Sequence, residues 1–525
     1  MDTKALRQKI LDLAIRGKLV PQDPNDEPAS VLLECIRAEK QQMVKDGKLK
    51  AKEIKNDTVI FLGDDNLHYE KFPDGTVNCI EDEIPFELPE GWEWTRLQAI
   101  CEPITDGTHK TPTYSDEGFI FLSSKNVTSG HIDWDNIMYI PESLHNELYA
   151  RLAPQKNDIL LAKNGTTGVA AIVDRDCIFD IYVSLALLRI IGYIISPEYL
   201  LSTIASSTIQ NYFNSSLKGI GVPNLHLEHI RTTLIPVAPI NEQYRIATKL
   251  EQLLSFADNI ESDKTDLQTT IQLAKSKILD LAIRGKLVPQ NPDDEPASVL
   301  LERIRAEKEE LIKQGKIKRD KKESVIFRGE DNSYYLRMGN LIETLDDWRI
   351  NDIPYSWGIC CLGEVCDYGN CTNVDTKDIP KTAWILDLED IEKDTGKVSQ
   401  KLTLKERNSA STKHSFHKGQ VLYSKLRPYL NKVVLVDDDG YCTSEILPLD
   451  FNKYILPEYA KYYLMSPTFL RYANHCSYGV KMPRLGTLDG RKAVLIVPPV
   501  NEQKRIADKV SQLFSLLDSI ADNVN

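Results

Sequence analysis

After the Asn-Glu-Gln triplet at 241–243, apolar residues recur at Ile246, Leu250, Leu253, Ala257, Ile260, Leu267, Ile271, Ala274, Ile278 and Leu281, with Lys264 the one polar member of the stripe. The steps alternate four and three over about five heptads, which is the seam of a coiled coil. A stripe this narrow is buried only against a second helix, because side chains on the remaining faces stay in water. Residues 241–286 read as one helix, roughly 70 Å long at 1.5 Å per residue. The same alternation runs through Ile506, Val510, Leu513, Leu517, Ile520 and Val524, and a shorter stripe through Leu6, Ile10 and Leu13. The expected partner of 241–286 is therefore 501–525 followed end to end by 2–17, lying antiparallel.

Two internal repeats support that pairing. Lys9–Lys40 and Lys277–Lys308 differ only at Asp23/Asn291, Asn25/Asp293 and Cys35/Arg303, so 29 of 32 positions are identical. The likeness continues weakly through "VIFLGDDN" at 59–66 against "VIFRGEDN" at 325–332. The stretch at 235–260 matches 495–520 around "NEQ-x-RIA". By these two offsets Asn525 corresponds to Thr265 and Met1 to Thr269, so the chain reads as two copies of one unit on a circle, opened inside a helix. The two chain ends are then expected side by side. "PQDPNDEP" at 21–28 has no periodicity and reads as a loop. Asp26 or Ser30 is the expected cap of the helix that follows, with Pro28 in its first turn. Near-identity of a surface loop and short helix suggests that both copies present one surface to two copies of one partner.

Between the repeats, Val/Ile/Leu/Tyr runs bounded by Gly and Asn read as short strands at 118–127, 158–174, 182–191, 382–388 and 419–437. One helix is expected at 197–214 and one at 457–474, aligned through "PEY". The expected fold class is α+β: two pseudo-twofold-related mixed α/β domains separated by a long antiparallel two-helix coiled coil. The boundaries read as 1–22 for part of the second coiled-coil arm, 23–83 for the first partner-docking region and 84–240 for the first recognition domain. They continue as 241–288 for the central helix, 289–352 for the second docking region, 353–500 for the second recognition domain and 501–525 for the last helix.

Composition narrows the partners. A chain of 525 residues exceeds one core, and no apolar run approaches the roughly 20 residues of a membrane span. The N-terminal segment carries charge every few residues, unlike a signal peptide, so a cytoplasmic location is expected, with the ten scattered cysteines reduced. The 360–371 cluster holds no CxxC pair, which disfavours zinc. Net charge is −13, and of the two diverged domains only the second is weakly basic: 356–500 has 19 Lys and Arg against 17 Asp and Glu, and 96–240 has 10 against 14. Charge alone does not establish DNA binding. The loops add to it: Thr108, His109, Lys110, Lys125 and Asn126 in "TDGTHKTP…SSKNV"; Lys163, Asn164 and Thr166 in the hairpin tip "AKNGTTG"; Lys425 and Arg427 at the matching place in the second half; and Lys218, Lys481 and Arg484 after each domain helix. Such groups donate to phosphates and base edges. His226/His229 and His414/His417 lack the ligands of a metal site. No amino-methylase motif, glycine-rich S-adenosylmethionine loop or Walker loop is present, so the chain is expected to bind and position, with no catalytic residue.

"DGTHKTP" with "FLSSKNV", the "P-x-NEQ-x-RIA" entry to each long helix, and "LAIRGKLVPQDPNDEPASVLLE" together resemble the specificity (S) subunit of type I restriction–modification enzymes, over essentially the whole chain. The resemblance implies a bacterial defence system in which two target-recognition domains each bind half of a split, asymmetric double-stranded DNA site. It implies two methyltransferase (M) subunits that methylate adenine and motor-nuclease (R) subunits that cleave. S-adenosylmethionine, ATP and Mg would belong to those partners, with no cofactor on this chain. One departure is that this chain opens with a conserved-region segment ahead of the first recognition domain. The alternative reading is a coiled-coil scaffold carrying two protein-binding α/β domains.

Overall fold

The computed structural model describes residues 2–127, 130–217, 223–317, 324–331, 333–345, 353–407, 409–451 and 453–524. It divides into two compact units, residues 1–263 and 264–525. A single helix, Ile240–Ile283, lies between the two mixed α/β domains and contributes to both units.

Within the first unit, the helix Thr3–Ile15 runs antiparallel to the first part of the long helix. Arg7 forms ion pairs with Asp258 and Glu261. Further along, Gly17 packs near Trp92, whose indole N–H donates to Glu242 at 3.0 Å. Ile10, Leu11, Ala14, Ile246 and Leu250 share one core. The second unit repeats the arrangement with Val500–Val524: Lys275 pairs with Asp518, and Trp357 donates to Glu502 at 3.0 Å. Every seam position from Ile246 to Leu281, Lys264 included, is buried or half-buried, whereas the off-seam Phe256 and Leu273 are exposed. The coiled-coil reading therefore holds, with one exception: Ile520 is exposed and Phe514 is buried instead, under the Lys275 ammonium. The chain ends, Met1 and Asn525, lie outside the described residues.

The repeated segment has a local cause. Gly17 and Gly285 have φ of +61° and +67°. Each ends its helix in a Schellman turn, with Lys18 N–H on Leu13 O and Lys286 N–H on Leu281 O. A Cβ there would stand 2.5 Å from Pro89 or 2.3 Å from Pro354. Asp26 does not cap the next helix, Ala29–Lys45, which starts after Pro28 without a side-chain cap. Asp26 instead accepts from Arg245 at 2.6 Å and Asn241 at 3.2 Å. Asp294 does the same for Arg505 and Asn501, at 2.6 and 3.3 Å. The neighbouring arginine holds each carboxyl below its ordinary value. Gln243 accepts Ser196 N–H and donates to Ala238 O; Gln503 accepts Leu456 N–H and donates to Pro498 O. The "NEQ-x-R" and "PQDPNDEP" segments thus lock together within each unit, so part of their identity is structural.

In the first domain a four-stranded sheet runs in the order Thr105–Asp106, Leu185–Leu188, Ile159–Ala162, Ala170–Ile172. A second sheet places Phe119–Leu122 between Phe179–Ile181, in parallel, and Met138–Ile140. The second domain has a five-stranded sheet with Lys413–Phe416 and Gly440–Thr443 near its middle, and a three-stranded one centred on Val421–Ser424. Central strands such as Ile159–Ala162 and Leu185–Leu188 are buried at every position, so they are apolar on both faces. The helices expected at 197–214 and 457–474 are each broken in two, at Ser206 and Ser466. Both serines are extended, and Ser466 Oγ caps the second piece by accepting Phe469 N–H while Pro467 starts it.

Candidate nucleic-acid interface

The same backbone node closes the loop end of both domains. Lys163, just past the strand Ile159–Ala162, donates its N–H to Ser184 O at 2.8 Å and accepts Leu225 N–H at 2.9 Å. Asn164 bridges to Asn224. In the second unit Lys425 donates its N–H to Glu445 O at 3.1 Å and accepts Leu485 N–H at 3.0 Å, while Leu426 bridges to Arg484. Each node laces a hairpin loop to the loop that follows the broken helix.

Two more loops join the first node. Ser124 N–H donates to Ser184 Oγ at 3.0 Å, which ties in the 3-10 turn Ser124–Val127. Thr108 O accepts Val183 N–H at 3.0 Å, which ties in the strand end at Asp106. Gly107 is required there, because a Cβ would fall 1.9 Å from Ile181 O. The structure therefore brings Thr108, His109, Lys110, Lys125, Asn126, Lys163, Asn164 and Thr166 to one end of the domain. Lys218 lies outside the described residues. Lys425, Arg427, Lys481 and Arg484 gather in the same way around the second node.

Their side chains differ in availability. His109, Lys110, Lys125, Thr166 and Lys481 are exposed; Thr108, Asn164, Lys425, Arg427 and Arg484 are half-buried. Asn126 is buried, accepting Ser123 N–H at 2.9 Å and donating to Asp133 O and Asn136 O. Lys163 is buried too, with its ammonium 2.5 Å from Asp106, whose other oxygen lies 3.3 Å from the His109 ring. Arg484 grips Glu445 at 2.9 to 3.2 Å and holds that carboxyl below its ordinary range. Lys425 has no side-chain hydrogen bond among the described residues and stands beside Cys371, whose thiol burial pushes up and the ammonium pulls down. Arg427 adopts φ +50°, a conformation rarely taken outside glycine. Its N–H donates to Pro483 O at 2.7 Å, and no partner for its buried Nε is present among the described residues.

The sequence reading missed Asp106 and Glu445, the acids that engage these cations. Asp106 stands inside the "TDGTHKTP" motif, where a carboxylate two residues before a Thr-His-Lys run was the available signal; Glu445 had none. Among the described residues no cluster of His, Cys, Asp or Glu is arranged to hold a metal, and no helix is long and apolar enough to cross a membrane.

The model for the type I restriction modification DNA specificity domain matches residues 89–268 and 354–524. The chain belongs to this family. Each matched stretch contains one node and one of the clamping glutamines, Gln243 or Gln503, with its backbone partners. The chain is 31% identical to the EcoAI specificity subunit of Escherichia coli over 70% of its own length, and spans 63% of that protein. It is 25% identical to the E. coli EcoEI specificity subunit over 98% of its length and 90% of that protein's. Among solved structures, a chain described under complex assembly and conformational transition of the type I R-M system superposes with a TM-score of 0.50 at 18% identity. That match covers 84% of this chain and 94% of the other, a likeness of fold.

Proposed function

We propose that this chain is the non-catalytic DNA-recognition subunit of a type I restriction–modification complex, reading a bipartite, asymmetric site with one half-site per unit. The observation that carries the reading is the recurrence of one loop-end node in both matched domains, Lys163 in one and Lys425 in the other, with different side chains around it. A shared scaffold with unlike loops suits two unlike half-sites. Phosphate contacts supply affinity and register, while base-edge contacts supply sequence.

The placements divide the work among the candidate residues. Thr108, His109, Lys110, Lys125, Asn164 and Thr166 in the first unit, and Lys425, Arg427 and Lys481 in the second, would meet DNA. Asn126, Lys163 and Arg484, engaged internally, would position the loops; Lys218 belongs with the first group. The repeated segments 23–83 and 289–352 would each dock one methyltransferase subunit, and motor-nuclease subunits would join that assembly. S-adenosylmethionine, ATP and Mg would serve those partners. The helix Ile240–Ile283 would set the gap between half-sites.

The test is Lys425→Ala with Arg427→Ala in the chain assembled with its methyltransferase partner. Affinity should fall for one half-site only, and the slope of log affinity against log salt should drop by about two. Unaltered affinity and slope would refute the assignment of those residues.

A further inference from the structure

The second unit carries a short hairpin that the charge-based reading leaves unexplained. Ser477–Tyr478 pairs with Arg484–Leu485, and the tip between them is Gly479-Val480-Lys481-Met482-Pro483. Gly479 has φ +101°, which makes the turn tight. Val480 is fully exposed, and Tyr478, Met482 and, on the adjoining loop, Tyr429 are exposed as well. Apolar side chains gathered in solvent on a loop tip mark a contact surface.

The tip is also braced. Arg427 N–H holds Pro483 O at 2.7 Å, Leu485 N–H holds Lys425 O at 3.0 Å, and the Arg484 guanidinium is locked on Glu445. Pro483 further restricts Met482 to extended backbone. A rigid base beneath an apolar-cation-apolar tip, flanked by Lys425 and Arg427, matches the chemistry of a base step: phosphate for the ammonium, stacked base faces for the aliphatic groups. We propose that Val480 and Met482 form a wedge that enters the DNA between or against base pairs of the second half-site, partly unstacking them, while Lys481 meets the adjacent phosphate. Wedges of this kind kink a duplex and create preference for easily unstacked steps. The proposal rests on the DNA-binding reading and extends it, because it assigns sequence preference to residues that make no hydrogen bond to a base.

The test uses the full chain with its methyltransferase partner and duplexes carrying its mapped recognition site, with 2-aminopurine placed singly across the second half-site. For the native complex, fluorescence should rise at one step, reporting unstacking. Val480→Ser with Met482→Ser should abolish that rise and weaken binding roughly tenfold, with the salt slope unchanged. Lys481→Ala should keep the rise and lower the slope by about one. Met482→Leu should behave as the native protein. Binding without a rise at any position, or a rise that survives the double substitution, overturns the wedge and leaves the DNA-binding reading standing. Failure of the native complex to bind its site overturns both.

Discussion

Lys163 and Lys425 occupy one node in two copies of the same domain, yet their side chains live in different electrostatic surroundings. Lys163 is buried against the Asp106 carboxylate at 2.5 Å. Lys425 is half-buried and makes no side-chain hydrogen bond among the described residues; it stands near the Cys371 thiol and near the Glu445 carboxylate, which Arg484 already engages. The backbone hydrogen bonds that build the node are the same in both. The scaffold is fixed by main-chain geometry, which any side chain tolerates, and so the charge at the loop end is free to diverge. In the first unit the lysine is ion-paired within the fold; in the second its ammonium has no hydrogen-bond partner among the described residues.

The comparison breaks most visibly by truncating each lysine. Lys163→Ala leaves the Asp106 carboxylate buried without its cation and should destabilise the first unit by about 3–5 kcal/mol. Lys425→Ala should cost the second unit less than about 1 kcal/mol. Hydrogen exchange resolved to residues of each unit reads the two separately, and equal losses would refute the distinction.

A smaller effect should be symmetric. Gln243→Ala and Gln503→Ala each strip a buried amide that satisfies one N–H and at least one carbonyl. Each should cost about 1–3 kcal/mol in its own unit, by the same measurement. Unequal costs would show that the clamps are not equivalent.

The smallest effect is acid lability. Asp26 and Asp294 have folded-state pKa values lowered by Arg245 and Arg505. A lowered carboxyl contributes stability that is present above its unfolded pKa of about 3.9 and is lost as pH falls through the folded value. Asp26→Asn and Asp294→Asn should each flatten the fall in denaturation midpoint below about pH 4. An unchanged acid slope would mean that the clamps carry none of the acid sensitivity.

The features written in local periodicity were legible in the sequence. The 4–3 alternation gave the long helix and its seam, because a narrow stripe has one physical solution. The matching of Lys163 with Lys425 followed from repeat register. Features that depend on contacts between distant segments were not legible. Nothing near Asp26 shows that its partner is Arg245, so it read as a helix cap. The break at Ser206 was hidden because the apolar pattern of the first "PEY" helix continues across it, whereas the break at Ser466 had a signal in Pro467, which cannot continue a helix interior. The burial of Asn126 and Lys163 was equally hidden, since polar loop residues read as exposed. Arg427 at φ +50° had no warning in its side-chain type.

The central claim is that two unlike readers sit on one repeated scaffold. The most direct measurement is a map of methylated adenines in DNA from a host carrying this chain with its methyltransferase partner, repeated after residues 356–500 are replaced by the corresponding segment of a relative. The account predicts two unlike half-sites separated by a fixed number of unspecified base pairs, with the replacement changing one half-site and leaving the other. A contiguous or palindromic motif, or a replacement that alters both halves, would contradict it.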